Sequence, residues 1–183
     1  MPTKPEMTAT ALVELLHLFE SAAIPVWLDG GWGVDALLQR QTRPHADVDI
    51  IPRVADVPKL LDLLGPLGFV LRKGQPPHVF VLGNQSGLEL DIHAVIFDEQ
   101  GNAIHRMENG DTWLFQAEAF TGRGILGGLT VHCLSPAAQV QCHAQGYAPT
   151  EKDLRDMELL AERFKIQLPP LLRRPDPSRS GAA

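Results

Sequence analysis

Two aspartates separated by one residue, Asp47 and Asp49, lie in the run D-V-D-I-I. With Val48, Ile50 and Ile51 around them the run reads as a β-strand, in which alternate residues share a face, so both carboxylates point the same way. Like charges about 4 Å apart repel by roughly 4 kcal/mol at an effective dielectric near 20, so such a strand calls for a cation or an Arg/Lys partner, a divalent metal being the natural candidate. A second ionisable row occurs over 88–97, L-E-L-D-I-H-A-V-I-F, where Glu89, Asp91 and His93 alternate with Leu88, Leu90 and Ile92. Alone, that alternation describes an exposed sheet face. If the two strands are neighbours, about 4.8 Å apart, Asp91 can converge with Asp47 and Asp49 on one metal centre. Glu89 is the fallback for that role, and His93 is a substrate contact or a hydrogen-bonded wall. Upstream, Gly30-Gly31 can turn the chain sharply and open a helix with free backbone N–H groups, as a phosphate needs, although an isolated glycine pair is more often only a turn.

The elements that must position these groups follow from periodicity. Residues 8–22 have helical spacing through Leu12, Leu15, Leu16 and Phe19, with Thr8 or Thr10 as cap, and Pro25 precedes a short strand at 26–28. A helix follows the glycine pair, then the aspartate strand, then an amphipathic helix over 55–64 with Pro58 in its first turn. Strands are expected at 69–72 and 78–82, joined by 74–77, and along the whole of 88–97. Residues 101–110 read as a polar loop or edge hairpin, 112–115 as one more strand. The run T-G-R-G-I-L-G-G-L-T lacks the Lys-Ser/Thr of a P-loop and reads as a turn into a strand at 129–134. Ser135-Pro136 starts a helix that carries Gln139, Gln141 and His143. A last helix runs from Thr150 to about Phe164, with Leu154, Met157, Leu160 and Ala161 on its apolar face and Lys152, Asp153 and Asp156 at its start. One domain over 1–168 and a flexible tail over 169–183, anchored by Leu171 and Leu172, are expected.

The chain has 183 residues, 44% apolar, enough for a proper core. A formal net charge of −6, with no cluster of Lys and Arg interleaved with aromatics, argues against nucleic acid as a partner. The N-terminus is polar and no apolar run approaches a membrane span or a signal-peptide core, so a cytoplasmic protein with no membrane partner is expected. Cys133 and Cys142 are the only cysteines and are expected as reduced thiols. The adjacent pairs His132-Cys133 and Cys142-His143 lack a zinc-ligand spacing.

The string G-G-W-G-V-D-A-L-L-Q-R-Q-T-R-P-H-A-D-V-D-I resembles the active-site signature of the polymerase-β-like nucleotidyltransferase superfamily. Most members have Gly-Ser and a shorter spacer. The longer helix, with Trp32, Asp35, Arg40, Thr42, Arg43 and His45, is similar to the branch of lincosamide nucleotidyltransferases and aminoglycoside adenylyltransferases, as is H-A-Q-G-Y-A-P-T-E-K-D-L-R-D near the C-terminus. The resemblance implies an α+β fold, a mixed β-sheet with helices packed on it. It implies transfer of a nucleoside monophosphate from an NTP, with ATP expected, to a hydroxyl of a small molecule such as a lincosamide or aminoglycoside antibiotic, and a homodimer.

On that reading Asp47, Asp49 and Asp91 are the catalytic and metal-binding residues, with room for two Mg2+ ions. Asp47 and Asp49 hold the nucleotide metal; Asp91 binds the second ion and accepts the proton of the acceptor hydroxyl. Gly30, Gly31, Arg43 and Lys152 bind the nucleotide. Arg43 neutralises a phosphate oxygen, Arg40 is equally a surface residue, and Lys152 either approaches the triphosphate or is a solvated helix-start lysine. His45 orients Asp47 or is a plain turn histidine, and Asp153 and Asp156 cap their helix. The rival readings are a nucleotidyltransferase acting on a protein hydroxyl, a non-catalytic nucleotide-binding relative, and a metal-dependent phosphohydrolase of unrelated fold. Retention of all three carboxylates counts against the second, and the lack of a histidine cluster against the third.

Overall fold

The computed structural model describes residues 6–107, 109–145 and 148–174. In chain order the elements are α1 (Ala9–Ser21), β1 (Val26–Asp29), α2 (Gly30–Leu38), β2 (Val48–Pro52), α3 (Val57–Leu64), β3 (Val70–Gln75), β4 (Val79–Gly83), β5 (Glu89–His93), β6 (Val95–Phe97), β7 (Ala103–Arg106), β8 (Thr112–Phe115), β9 (Gly122–Leu126), β10 (Leu129–Cys133), α4 (Pro136–Ala144) and α5 (Glu151–Phe164). Seven strands form a sheet in the order β3-β4-β5-β2-β1-β10-β9, and β6-β7-β8 form a smaller one. The large sheet is mixed: β2 runs parallel to β5 and β1 to β10, while the other pairs are antiparallel. This is the α+β architecture expected. Among the described residues no helix is long and apolar enough to cross a membrane.

One face of the large sheet carries the main core. Leu28, Val48, Ile50, Leu90 and Ile92 alternate inward from β1, β2 and β5 and are fully buried with Leu12 and Phe19 of α1 and Leu60 and Leu64 of α3. Thr8 caps α1, accepting from the Ala11 N–H at 3.2 Å. Alternation then forces Asp29, Asp49 and Asp91 to the other face. Helix α2 is buried on nearly every side, Trp32 and Val34 through Leu37 included. Its closeness to β9 requires Gly124, where a Cβ would overlap the backbone of Ala36.

Three expectations are corrected. The strand expected over 88–97 is two strands: strict alternation ends at His93, Ala94 is fully buried, and Val95–Phe97 joins the small sheet. Val95 packs with Ile51, Phe120 and Leu134 in a second, smaller core. The glycine-rich run read as a turn contains β9, because Gly122 and Gly124 alternate with Arg123 and Ile125 and pair with β10. The aspartate strand starts at Val48, so Asp47 stands just ahead of it and is exposed. The polar segment over 101–110 takes its hairpin option, supplying β7 against β8. Of the expected tail anchors Leu172 is fully buried and Leu171 is exposed; residues 175–183 of the expected tail lie outside the described residues.

Helix α5 has a capping box, the Asp153 carboxylate accepting from both the N–H and the hydroxyl of Thr150 at 2.7 Å. Asp156 does not cap. It is buried one turn further in and accepts from Arg43 Nε at 3.1 Å and Nη2 at 2.7 Å, fastening α5 to the connection before β2. Removing one partner of a largely buried, bidentate pair leaves the other charge uncompensated. Asp156→Asn should therefore lower unfolding free energy by about 2–3 kcal/mol in urea denaturation; a loss below about 0.5 kcal/mol would show that the pair carries no net stability.

Candidate active site

Register does what spacing alone does not. Asp29 of β1 lies opposite Asp49 of β2, and Asp49 opposite Asp91 of β5. Three carboxylates thus stand in one row on three adjacent strands. The row continues through Val81 of β4 to Lys73 of β3. Ligand-type atoms of Asp49, Asp91 and His93 all fall within 4.8 Å of one another. His93 Nε2 is 3.4 Å from Asp91 Oδ1 and 3.8 Å from Asp49 Oδ1. Asp47 lines the same cavity without belonging to that tight group, and Glu89 does not line it. His93, read from sequence as a contact or a wall, is a member of the cluster.

The electrostatics follow from crowding. Burial raises the pKa of Asp91, and Asp49 and Asp47 add to the rise against the opposing pull of His93. Asp29 is raised in the same way, by burial and by Asp49. Burial works against a charged His93, yet Asp49, Asp91 and Asp29 outweigh it and push the ring up to about 9. These groups could hold a cation. Hard carboxylate oxygens converging from β2 and β5 fit Mg2+. Among the described residues the Cys–His pairs form no comparable group. The buried Cys133 thiol is pushed up to about 12, and burial raises Cys142 too, so neither is a ready thiolate.

A cavity of about 520 Å3 lies over the carboxylates. One wall is the start of α2. Asp29 accepts from the Gly30 N–H at 2.7 Å, and the chain passes from strand to helix there because Gly30 takes φ +56°. A Cβ on Gly30 would overlap the Asp49 carboxylate, and one on Gly31 would strike the His45 ring and the Arg43 guanidinium. Glycine at both places brings aspartate, histidine and arginine against a helix N-terminus, where backbone N–H groups and the helix dipole favour an anion.

His45 is buried and is itself held in place. Its Nε2 lies 2.6 Å from Asp35 Oδ2 and its ring packs tilted against Trp32 with centroids 4.6 Å apart. The other Asp35 oxygen accepts from the Thr42 N–H at 3.1 Å and hydroxyl at 2.6 Å. Arg43, read as a phosphate ligand, reaches the cavity with Asp156 already on its guanidinium.

Another wall comes from α4 and α5 and includes Lys152, Asp153 and His143. His143 Nδ1 is 2.8 Å from the Gln139 carbonyl, and Nε2 is 3.9 Å from Asp153 Oδ1. Thus Gly30, Gly31, Arg43, Asp47, Asp49, Asp91 and Lys152 all line one cavity. Asp29 and His143 were missed. The available signal for Asp29 was its place directly ahead of the glycine pair, and for His143 its place in the last turn of the helix before α5.

The chain matches the family model described as aminoglycoside-2''-adenylyltransferase over residues 11–160. It is 31% identical over 154 residues to a lincosamide resistance protein of Staphylococcus haemolyticus, spanning 84% of this chain and 94% of that one. A 2''-aminoglycoside nucleotidyltransferase of Escherichia coli is 36% identical over 63 residues, 31% of this chain and 36% of the relative. Among solved structures, the lincomycin-bound lincosamide antibiotic adenylyltransferase LnuA superposes with a TM-score of 0.76 at 31% identity, covering 85% of this chain and 98% of that chain. ANT(2'')-Ia in complex with adenylyl-2''-tobramycin superposes with a TM-score of 0.66 at 20% identity, covering 85% and 88%, and so shares the fold.

A histidine raised from 6.5 to about 9 on folding stabilises the protein fully below pH 6.5 and loses that contribution as pH rises through 9. The melting temperature of the metal-free protein should therefore fall across this window, and His93→Gln or saturating Mg2+ should flatten the fall. A fall of equal size in the variant would assign it to another group.

Proposed function

The chain belongs to the aminoglycoside-2''-adenylyltransferase family and is a nucleotidyltransferase, and from that premise we propose that it moves a nucleoside monophosphate from ATP onto a hydroxyl of a small antibiotic of the lincosamide or aminoglycoside kind. The observation that carries the reading is the convergence, in one cavity, of aligned carboxylates, the glycine-lined start of α2 and Lys152. Transfer of this kind needs positioning and charge neutralisation more than covalent chemistry.

In this proposal the triphosphate lies against the N-terminus of α2, received by backbone N–H groups at Gly30 and Gly31. Lys152 reaches it from α5, and Arg43, held by Asp156, adds positive charge beside Gly31. Mg2+ held by Asp49 and Asp91 with Asp47 beside them, as two ions, would neutralise charge on the phosphates and clamp the attacking and leaving oxygens. Asp91 takes the acceptor proton. Its raised pKa makes it a better base than an ordinary solvated carboxylate. The hydroxyl oxygen bonds to the α-phosphorus, the bond from that phosphorus to the α–β bridging oxygen breaks, and pyrophosphate leaves with the electron pair. His93 braces both carboxylates. Asp35 is a positioning residue that holds the His45 ring beside Gly31.

The test is mass spectrometry of a panel of lincosamides and aminoglycosides incubated with Mg2+ and ATP, GTP, CTP or UTP. A mass gain of one AMP is expected, abolished by EDTA and reduced about a hundredfold or more by Asp49→Asn. Gain that survives in the variant would remove Asp49 from the reaction. No gain from any pair, joined to no nucleotide binding in calorimetry, would overturn the proposal.

A further inference from the structure

Two titratable groups that line the carboxylate cavity, half-buried Asp29 and buried His143, take no part in the transfer steps above. They lie together at one end of the row. Burial and Asp49 raise the pKa of Asp29, and His143 pulls against both. The order along the row is therefore Asp91 on β5, Asp49 on β2, Asp29 on β1 and then His143 in the last turn of α4. In-line transfer gives that order a direction, because the attacking and leaving oxygens stand on opposite sides of the phosphorus. The acceptor hydroxyl loses its proton to Asp91, so attack comes from that end. The departing oxygen then lies toward Asp29, where Gly30 and Gly31 open α2. It leaves with the electron pair of the broken bond, and this new negative charge arrives beside a carboxylate that repels it.

The His143 ring is held to meet that charge. Its Nδ1 is 2.8 Å from the carbonyl of Gln139, one turn back in α4. A carbonyl only accepts, so Nδ1 carries a hydrogen and the direction of the ring is set. Nε2 is turned toward Asp153, 3.9 Å from Oδ1, which is ion-pair reach and longer than a hydrogen bond. The other Asp153 oxygen caps α5, so this carboxylate is fixed as well, with Lys152 next to it on the same wall. In the imidazolium form the ring carries its second hydrogen on Nε2. Resting on the nucleotidyl-transfer reading above, we infer that His143 is a further catalytic residue, donating a hydrogen bond from the Nε2–H of its imidazolium to the pyrophosphate as it leaves. The proton stays on the ring, so the step needs no co-reactant. Because the charge it meets develops during departure, its effect falls on that step more than on the binding of ATP.

Three readouts on the full chain test this. Spectra of wild type with labelled histidine, assigned through bonds, need no variant: Mg-pyrophosphate should move the His143 ring signals, and AMP should leave them in place. In calorimetry His143→Gln should bind Mg-pyrophosphate about tenfold more weakly, the scale of one charge-assisted hydrogen bond, while Mg-ATP affinity stays within about threefold and shows that the variant is folded. In AMP transfer, the variant should lose more with a β,γ-methylene analogue of ATP, whose bisphosphonate is a basic leaving group, than with the less basic β,γ-difluoromethylene analogue. The two losses should differ by about threefold or more, whereas a merely structural role would cost both donors alike. Unmoved His143 signals, pyrophosphate affinity within about twofold of wild type, or equal losses with the two analogues would each overturn the inference. The first two readouts need no turnover. Moved signals and weakened pyrophosphate binding without any AMP transfer leave the contact standing and count against the transferase reading alone. AMP transfer with unmoved signals counts against the inference alone.

Discussion

Repulsion among Asp29, Asp49 and Asp91, set side by side on adjacent strands, is the constraint that the surrounding structure answers. At strand spacing, carboxylates sharing a partly dry face repel by several kcal/mol at low effective dielectric. Burial of the opposite face fixes which way they point, since a slip of one residue would send them into the core. The answers are electrostatic and come from separate places: the N–H of Gly30 on Asp29, the His93 ring between Asp49 and Asp91, and Lys73 at the far end of the row. Each lies within the sheet or directly at its edge.

Helix α2 is the counterpart of that row. It is short, and its burial among β9, β2 and α5 leaves only its first turn facing the carboxylate cavity. The side chains above that turn are in turn held from behind: Asp35, within the same helix, carries His45 on one oxygen and Thr42 on the other. Both Asp35 oxygens have partners on the loop that leads to Asp47. A helix thus determines the path of the strand that follows it.

Much of this was legible in the chain because period-two alternation is a local property. Asp49 and Asp91 could be placed on one face, and the glycine pair at a helix start, from their immediate neighbours. Register is not local, and Asp29 joins the row only because β1 pairs with β2 so that the two aspartates meet. His45 has its tie to Asp35 hidden for the same reason. Two residues along the chain separate it from Asp47, but its partner is Asp35, brought to it by the turn around Gln39. The split at Ala94 and the strand at Gly122–Leu126 were hidden by residue types that usually signal the opposite, an unbroken apolar run in the first case and glycines in the second. Asp156 looked like a helix-start charge and is a tertiary contact.

The fastening of Arg43 by Asp156 has an effect on how a ligand is received. A guanidinium on a free loop must surrender rotamer freedom when an anion arrives, and that ordering subtracts about 0.5–1.5 kcal/mol from the binding free energy of each such side chain. Here the two-point contact to α5 has fixed its direction during folding. The loop and the last long helix are thereby joined as one unit, and an anion that met Arg43 would find its guanidinium already oriented.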